Sequence, residues 1–171
     1  MPDISIRLAT SQDAALLPDI ERSAGKAFLS VPGLEWIASD AVMSARAHQI
    51  FIDEDTVWVA TLDGGCIGFV TTAIYDDALH ILELAVADGY QGQGIGRRLM
   101  DRAHQHAAEF GFQAVTLTTF RDLAFNEGFY LKLGYQTLEE TEIPERLAMI
   151  LQSEIEKGLP GDRRCAMLLT V

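Results

Sequence analysis

Between Asp88 and Arg98 the chain reads Asp-Gly-Tyr-Gln-Gly-Gln-Gly-Ile-Gly-Arg-Arg. Gly92, Gly94 and Gly96 let a backbone turn tightly and come close to a ligand. An unusually apolar run, Leu79 to Val86, precedes the loop and reads as a central strand. A helix follows directly, with Ile95, Leu99, Ala103, Ala107 and Phe110 on one face. The first amides of such a helix have no partners within it, and its dipole adds partial positive charge. Strand, glycine loop and helix start thus make a place for a phosphate or pyrophosphate. Arg97 and Arg98 add formal positive charge there. The Gly-Lys-Ser/Thr of a P-loop is absent. The spacing is G-x-G-x-G, not the G-x-G-x-x-G of a dinucleotide site, and the unit lies mid-chain after a hairpin. Glycines alone also fit a plain turn that caps a helix.

The elements that must hold this loop follow from periodicity. Ile4 to Leu8 alternates as a strand, and Thr10 or Ser11 is placed to cap a first helix that starts or kinks at Pro18. A second helical stretch runs from about Leu34 to Ile50. Thr56–Leu62 and Cys66–Ile74 form a hairpin across Asp63-Gly64-Gly65. After the loop and its helix, which Gly111 closes, Ala114 to Phe120 is a strand. Leu123 to Leu133 is a short helix, Tyr135 to Leu138 a strand, and Pro144 opens a helix reaching about Lys157. Arg164 to Val171 is the last strand. The order predicts an α/β chain with a mixed sheet and helices on its faces.

Composition narrows the partners. The 171 residues hold 13 Lys+Arg and 25 Asp+Glu, a net charge of −12. The length fits one domain over residues 1–171. So acidic a chain is a poor holder of nucleic acid. No apolar run reaches the ~18–20 residues of a membrane helix, and Met-Pro-Asp-Ile-Ser-Ile-Arg has no signal core. No membrane partner and a cytoplasmic location are expected. Cys66 and Cys165 lie in apolar strands and read as buried thiols; two cysteines make no metal site, and no metal is expected.

The longer string Leu84-Ala85-Val86-Ala87-Asp88-Gly89-Tyr90-Gln91-Gly92-Gln93-Gly94-Ile95-Gly96-Arg97-Arg98-Leu99-Met100 closely resembles the acetyl-coenzyme A motif of the GNAT N-acetyltransferase superfamily. That motif is Gln/Arg-x-x-Gly-x-Gly/Ala after a strand ending in Leu-Ala-Val. Gln91, Gly94 and Gly96 occupy its defining positions. Phe129-Tyr130-Leu131-Lys132-Leu133-Gly134-Tyr135 resembles the family's Phe-Tyr-x-Lys-Leu-Gly-Phe segment. The resemblance spans nearly the whole chain. It implies a mixed, mostly antiparallel sheet of six to seven strands, splayed at its centre and flanked by helices.

The resemblance also implies the chemistry: a transferase moving acetyl from acetyl-CoA to a primary amine on a small molecule or a peptide N-terminus. The amides from Gln91 through Gly92, Gln93, Gly94, Ile95 and Gly96 to Arg97, aided by Arg98, would hold pyrophosphate. Leu84, Ala85 and Val86 would pair with the pantetheine arm. An amide near Leu84 or Ala85 would polarise the acetyl carbonyl. Tyr130 takes the position that supplies an acid to the departing sulfur, its alternative being a buried tyrosine with a satisfied hydroxyl. Glu83, a carboxylate among Ile81, Leu82, Leu84, Ala85 and Val86, is the expected base, its pKa raised by burial. A structural or substrate-orienting Glu83 is the other reading. His80 competes for the role; it lies three residues earlier, facing the other side of the strand, and reads as a surface histidine.

Many family members carry Asn about seven residues before the tyrosine, where this chain has Leu123. Asn126 instead sits in Arg121-Asp122-Leu123-Ala124-Phe125-Asn126-Glu127-Gly128-Phe129-Tyr130, similar to a subgroup with Arg-Asp-Val-Pro-Trp-Asn. It is placed to touch the pantetheine or the acceptor, or else to cap a helix. The acceptor side falls to residues 23–36, with Phe28, Leu29, Val31, Leu34 and Trp36 as an apolar wall, and to residues 138–162. Trp36 also reads as plain core. Glu139, Glu140, Glu142 and Glu145 read as a solvated face, or as the attraction for a cationic acceptor. The alternative to an enzyme is a non-catalytic CoA-binding sensor or scaffold, and nucleotide binding is a weaker third. Dimers are common in the superfamily, which makes a homodimer an implied arrangement.

Overall fold

The computed structural model of the protein describes residues 3–171. The strands are β1 (Ile4–Leu8), β2 (Val57–Leu62), β3 (Gly65–Tyr75), β4 (Ala78–Val86), β5 (Ala114–Phe120), β6 (Gln136–Thr137) and β7 (Arg164–Thr170). The α-helices are α1 (Leu17–Ala24), α2 (Ala45–Asp53), α3 (Ile95–Glu109), α4 (Glu127–Lys132) and α5 (Glu145–Glu156). The seven strands hydrogen-bond in the order β1-β2-β3-β4-β5-β7-β6. The pairs β1–β2, β2–β3, β5–β7 and β6–β7 are antiparallel, whereas β4–β5 is parallel. This is the mixed, mostly antiparallel architecture expected. The parallel ladder covers Ala78–His80 against Ala114–Thr116, while β4 runs on to Val86.

The chain forms two compact units: residues up to Ala73 with Leu82–His106, and Ile74–Ile81 with Ala107–Val171. In the first, Asp63 (φ 50°) and Gly64 (φ 82°) turn β2 into β3 with the positive torsions a tight hairpin needs. Ala9, Leu17, Ile20, Ile52, Val57, Val59, Phe69 and Ala85 form its apolar core. Pro18 lies in the first turn of α1, where its missing N–H costs nothing. The long helix expected over Leu34–Ile50 is broken. Glu35–Ser39 makes a 3-10 turn, Asp40 is extended, and α2 begins only after Ser44, whose side chain accepts from Ala47 N at 3.1 Å. That N-cap competes with continuation of the helix through it. Val31 and Leu34 are buried, but Leu29 is 60% and Trp36 39% exposed, so Trp36 is not core.

In the second unit β5 and β7 pair from Ala114↔Thr170 to Phe120↔Arg164. Pro144 sits at the N-cap of α5, and Leu147 is the helix's buried anchor. Arg164 joins α5 to the strands: it bridges Glu154 at 2.9 Å and lies 4.5 Å over the Phe120 ring, while Glu154 accepts from Thr118 Oγ1 at 2.8 Å. Phe110 falls beyond the end of α3 and is 69% exposed, so it leaves the helix's apolar face. Cys165 is buried and Cys66 half-buried; neither is in a disulfide, and burial pushes both thiols up to about 11.

Candidate functional site

The glycine loop belongs entirely to the first unit, and its geometry comes from positive backbone torsions. Gly89 (φ 91°), Gly92 (φ 77°) and Gly94 (φ 82°) occupy the left-handed region. A Cβ built on any of them would meet nothing within 4 Å, so the glycines are there for conformation and not for clearance. Gly96 differs: it lies within the first turn of α3. The loop is tied down by its own side chains. Gln91 Nε2 donates to Val86 O at 2.9 Å, Gln93 Nε2 to Gly89 O at 3.3 Å, and Ser23 Oγ accepts from Asp88 N at 2.8 Å.

The amides from Gln91 to Arg97 have no backbone acceptor among the described residues, and the first bond into α3 is Arg98 N to Gly94 O at 3.1 Å. Consecutive N–H groups at the start of a fifteen-residue helix are a preorganised anion cradle. Ile95 is 1% exposed and anchors the helix start, while Arg97 and Arg98 are exposed beside the cradle. Upstream, Ala85 packs into the core and Leu84 and Val86 are half-buried. Glu83 is also half-buried, in the part of β4 that belongs to this unit.

Tyr130 and Asn126 lie in the second unit. Tyr130 is buried, 9% exposed, with its ring edge-on to Phe129 (5.0 Å) and Tyr135 (5.7 Å). Burial, with Tyr130 as neighbour, pushes the Tyr135 phenol far above its ordinary range, so Tyr135 stays neutral. Asn126 holds the N-cap position of α4, yet its side chain does not cap; Nδ2 donates to Phe125 O at 2.8 Å. Glu139, Glu140, Glu142 and Glu145 are exposed.

Two features are absent from the sequence reading. His80, expected at the surface, is 2% exposed. The parallel ladder sets it beside Thr116, whose Oγ1 lies 2.8 Å from His80 Nδ1. Arg146 of α5 reaches both: Nη2 donates to Thr116 Oγ1 at 3.1 Å, and Nη1 lies 3.4 Å from His80 Nδ1. Its guanidinium sits 4.8 Å over the Tyr75 ring, which also meets His80 edge-on at 5.9 Å. With Arg146 donating to it, Nδ1 is an acceptor and the proton sits on Nε2. Burial, then Arg146, pulls His80 down to about 4, so it is neutral. Nothing local in the sequence marks Arg146, which sits between Glu145 and Leu147.

The second feature is Glu21, half-buried on α1, whose carboxylate accepts from Met43 N at 3.2 Å and is pushed by burial up to about 7. Its position four residues after buried Leu17 was the available signal, since i and i+4 share a helix face. Among the described residues no cluster of three or more His, Cys, Asp or Glu is placed to hold a metal, and no helix is long and apolar enough to cross a membrane.

The acetyltransferase (GNAT) domain family matches residues 53–137. An uncharacterized N-acetyltransferase of Chlorobaculum tepidum is 30% identical over 115 residues, covering 66% of this chain and 71% of that one. The PaiA N-acetyltransferase of Thermoplasma acidophilum, solved with coenzyme A, superposes with a TM-score of 0.74 at 19% identity over 99% of both chains. N-acetylglutamate synthase of Neisseria gonorrhoeae, solved with coenzyme A and N-acetyl-glutamate, gives 0.73 at 19% identity; the match covers 99% of this chain and 35% of that one.

Proposed function

Since the chain belongs to the GNAT acetyltransferase family, we propose that it moves the acetyl group of acetyl-CoA onto a primary amine by direct attack, with Glu83 as base and Tyr130 as acid. The observation that carries this is the run of uncommitted amides from Gln91 to Arg97 at the start of α3. Its chemistry fits a pyrophosphate: donors without acceptors, a helix N-terminus, and Arg97 and Arg98 at its side. Both superposed structures named above hold coenzyme A, which supports the same reading.

Acetyl-CoA supplies a thioester carbonyl and a thiol leaving group. Glu83 takes the proton that the attacking amine must lose. Tyr130 gives a proton to the departing sulfur and is reprotonated from water. A phenol near pKa 10 is protonated at neutral pH, and donation to a thiolate near 8.5 is uphill by about 2 kcal/mol, small beside a chemical barrier. Backbone N–H groups of Leu84 or Ala85 serve as donors to the carbonyl oxygen as charge builds on it. Gln91, bonded to Val86 O, ties the cradle to the strand that carries those donors.

The test is thiol release from acetyl-CoA across a panel of primary amines, with Tyr130→Phe alongside. Transfer by the wild type and a slow variant that still binds coenzyme A are expected. Binding without turnover on any amine would leave a sensor and overturn transfer. No binding at all would overturn the cofactor assignment too.

A further inference from the structure

The last turn of α1 is fastened to the glycine loop. Ser23 Oγ accepts from Asp88 N at 2.8 Å, and Gln91 Nε2 lies 2.9 Å from Val86 O and 3.5 Å from Ala24 O. One amide nitrogen thus joins the helix to the end of β4. Glu21 stands three residues before Ala24 and four before Gly25, so it shares their side of α1, about one 5 Å turn away. Gly25 in turn meets the 3-10 turn Glu35–Ser39: a Cβ built on it would stand 3.7 Å from Ala38 Cα and 3.9 Å from Ile37 O. Helix end, loop and turn all belong to the first unit.

Glu21 is a carboxylate with an oxygen to spare. Oε1 accepts from Met43 N at 3.2 Å, and no described residue bonds Oε2. No Lys or Arg bridges it; Arg22, its neighbour in sequence, is bound to Asp19 at 2.7 Å. Burial, partly offset by the Met43 N–H and by Arg22, pushes the carboxyl up to about 7, and a bound ammonium would relieve that penalty. Apolar surface stays uncovered nearby. Trp36, on the turn that touches Gly25, is 39% exposed, and Leu29, in the 3-10 stretch Gly25–Ser30 that continues α1, is 60% exposed. An open aromatic and one unbridged carboxylate together match a ligand with an apolar body and a single positive end.

The geometry points to Glu21 Oε2 as the group that receives the ammonium of the acceptor, with Trp36 as the apolar wall for the rest of it, making the acceptor a primary amine on an apolar, uncharged body. This rests on the acetyl-transfer reading above. The bond to Met43 N fixes the carboxylate's orientation, and the ties of Ser23 and Ala24 fix its helix beside the strand that would pair with the pantetheine arm.

The experiment measures acetylation of 2-phenylethylamine and ethylamine by wild type, Glu21→Gln and Trp36→Ala. Glutamine keeps an oxygen for Met43 N and removes only the charge. The wild type is expected to show a KM for 2-phenylethylamine at least roughly tenfold below that for ethylamine, and Glu21→Gln to raise it by a similar factor with a smaller change in kcat, as loss of a charge-assisted bond in binding implies. Trp36→Ala should raise KM for 2-phenylethylamine and leave ethylamine unchanged. Equal KM for the two amines in the wild type, or an unchanged KM in Glu21→Gln, would overturn the proposal. Turnover on no amine refutes the transfer reading instead. In that case, or if Glu21→Gln does not fold, calorimetry with coenzyme A present compares 2-phenylethylamine with 2-phenylethanol. Tighter binding of the amine by the wild type, weakened in Trp36→Ala, supports the proposal; equal binding of amine and alcohol, or no change in Trp36→Ala, overturns it.

Discussion

Tyr130 packs edge-on against the Phe129 and Tyr135 rings, contacts that a phenylalanine keeps, so Tyr130→Phe is the direct test of the proposed acid role. Tyr130→Phe is expected to lower kcat by about 100-fold, the lower end of general acid–base contributions, with the dissociation constant for coenzyme A unchanged by calorimetry. Buried titratable groups also set the pH dependence of stability. His48, fully buried against Thr71 and Phe69, is pulled down to about 4, as is His80. Both are neutral in either state above pH 6.5. As pH falls from 6.5 to about 4, the unfolded chain takes up their protons first, and each removes about 1.4 kcal/mol of stability per pH unit. Glu21 has the opposite sign. Raised to about 7, it stabilises fully below its ordinary 4.5 and loses that stability as pH rises through 7. Two histidines outweigh one carboxyl, so urea midpoints should peak between about pH 6.5 and 7 and fall toward 4.5. His48→Gln should flatten that fall and Glu21→Gln steepen it.

At the scale of elements, the cradle depends on two glycines in the left-handed region at the mouth of α3. Gly94→Ala meets no atom within 4 Å, so its cost is strain at φ 82°, about 1–2 kcal/mol, not a clash. The expected result is a melting point lowered by a few degrees and at least tenfold weaker coenzyme A binding, because a relaxed torsion turns the amides away. Ser44→Ala should cost about 1 kcal/mol by chemical denaturation and leave coenzyme A binding untouched, since it removes only the N-cap of α2. These elements were legible to different depths. The loop, α3 and the start of α5 are written in local signals: alternate glycines, a helical apolar stripe, a proline at Pro144. The break before α2 depends on one serine winning against helix propensity. The burial of His80 and its meeting with Arg146 were not legible at all, because they arise from the β4–β5 register and from α5 packing, pairings between residues 30 to 66 positions apart. Asn126 shows the converse: its position near Tyr130 was readable, but its side chain turns to Phe125 O and leaves the cap unfilled.

For the whole molecule the net charge of −12 opposes an anionic co-substrate, while the cradle attracts it. Distance decides which acts. At 0.01 M ionic strength the Debye length is about 30 Å and an approaching anion feels most of the surplus carboxylates; at 0.15 M it is about 8 Å and only charges beside the cradle count. Those include Arg97 and Arg98, both exposed, with the amides of α3 behind them and the exposed Asp88 of the same loop against them. The association rate of coenzyme A, followed by stopped-flow fluorescence, should therefore rise between 0.01 and 0.15 M salt as long-range repulsion is screened. It should fall again toward 1 M, where the screening length of about 3 Å reaches the arginines themselves. In Arg97→Gln/Arg98→Gln the first limb should remain and the second should shrink, because the cradle then offers only the partial charge of a helix end. A rate that falls from the lowest salt onward would mean that the field at the loop is already positive, with the acidic surplus lying too far away to act.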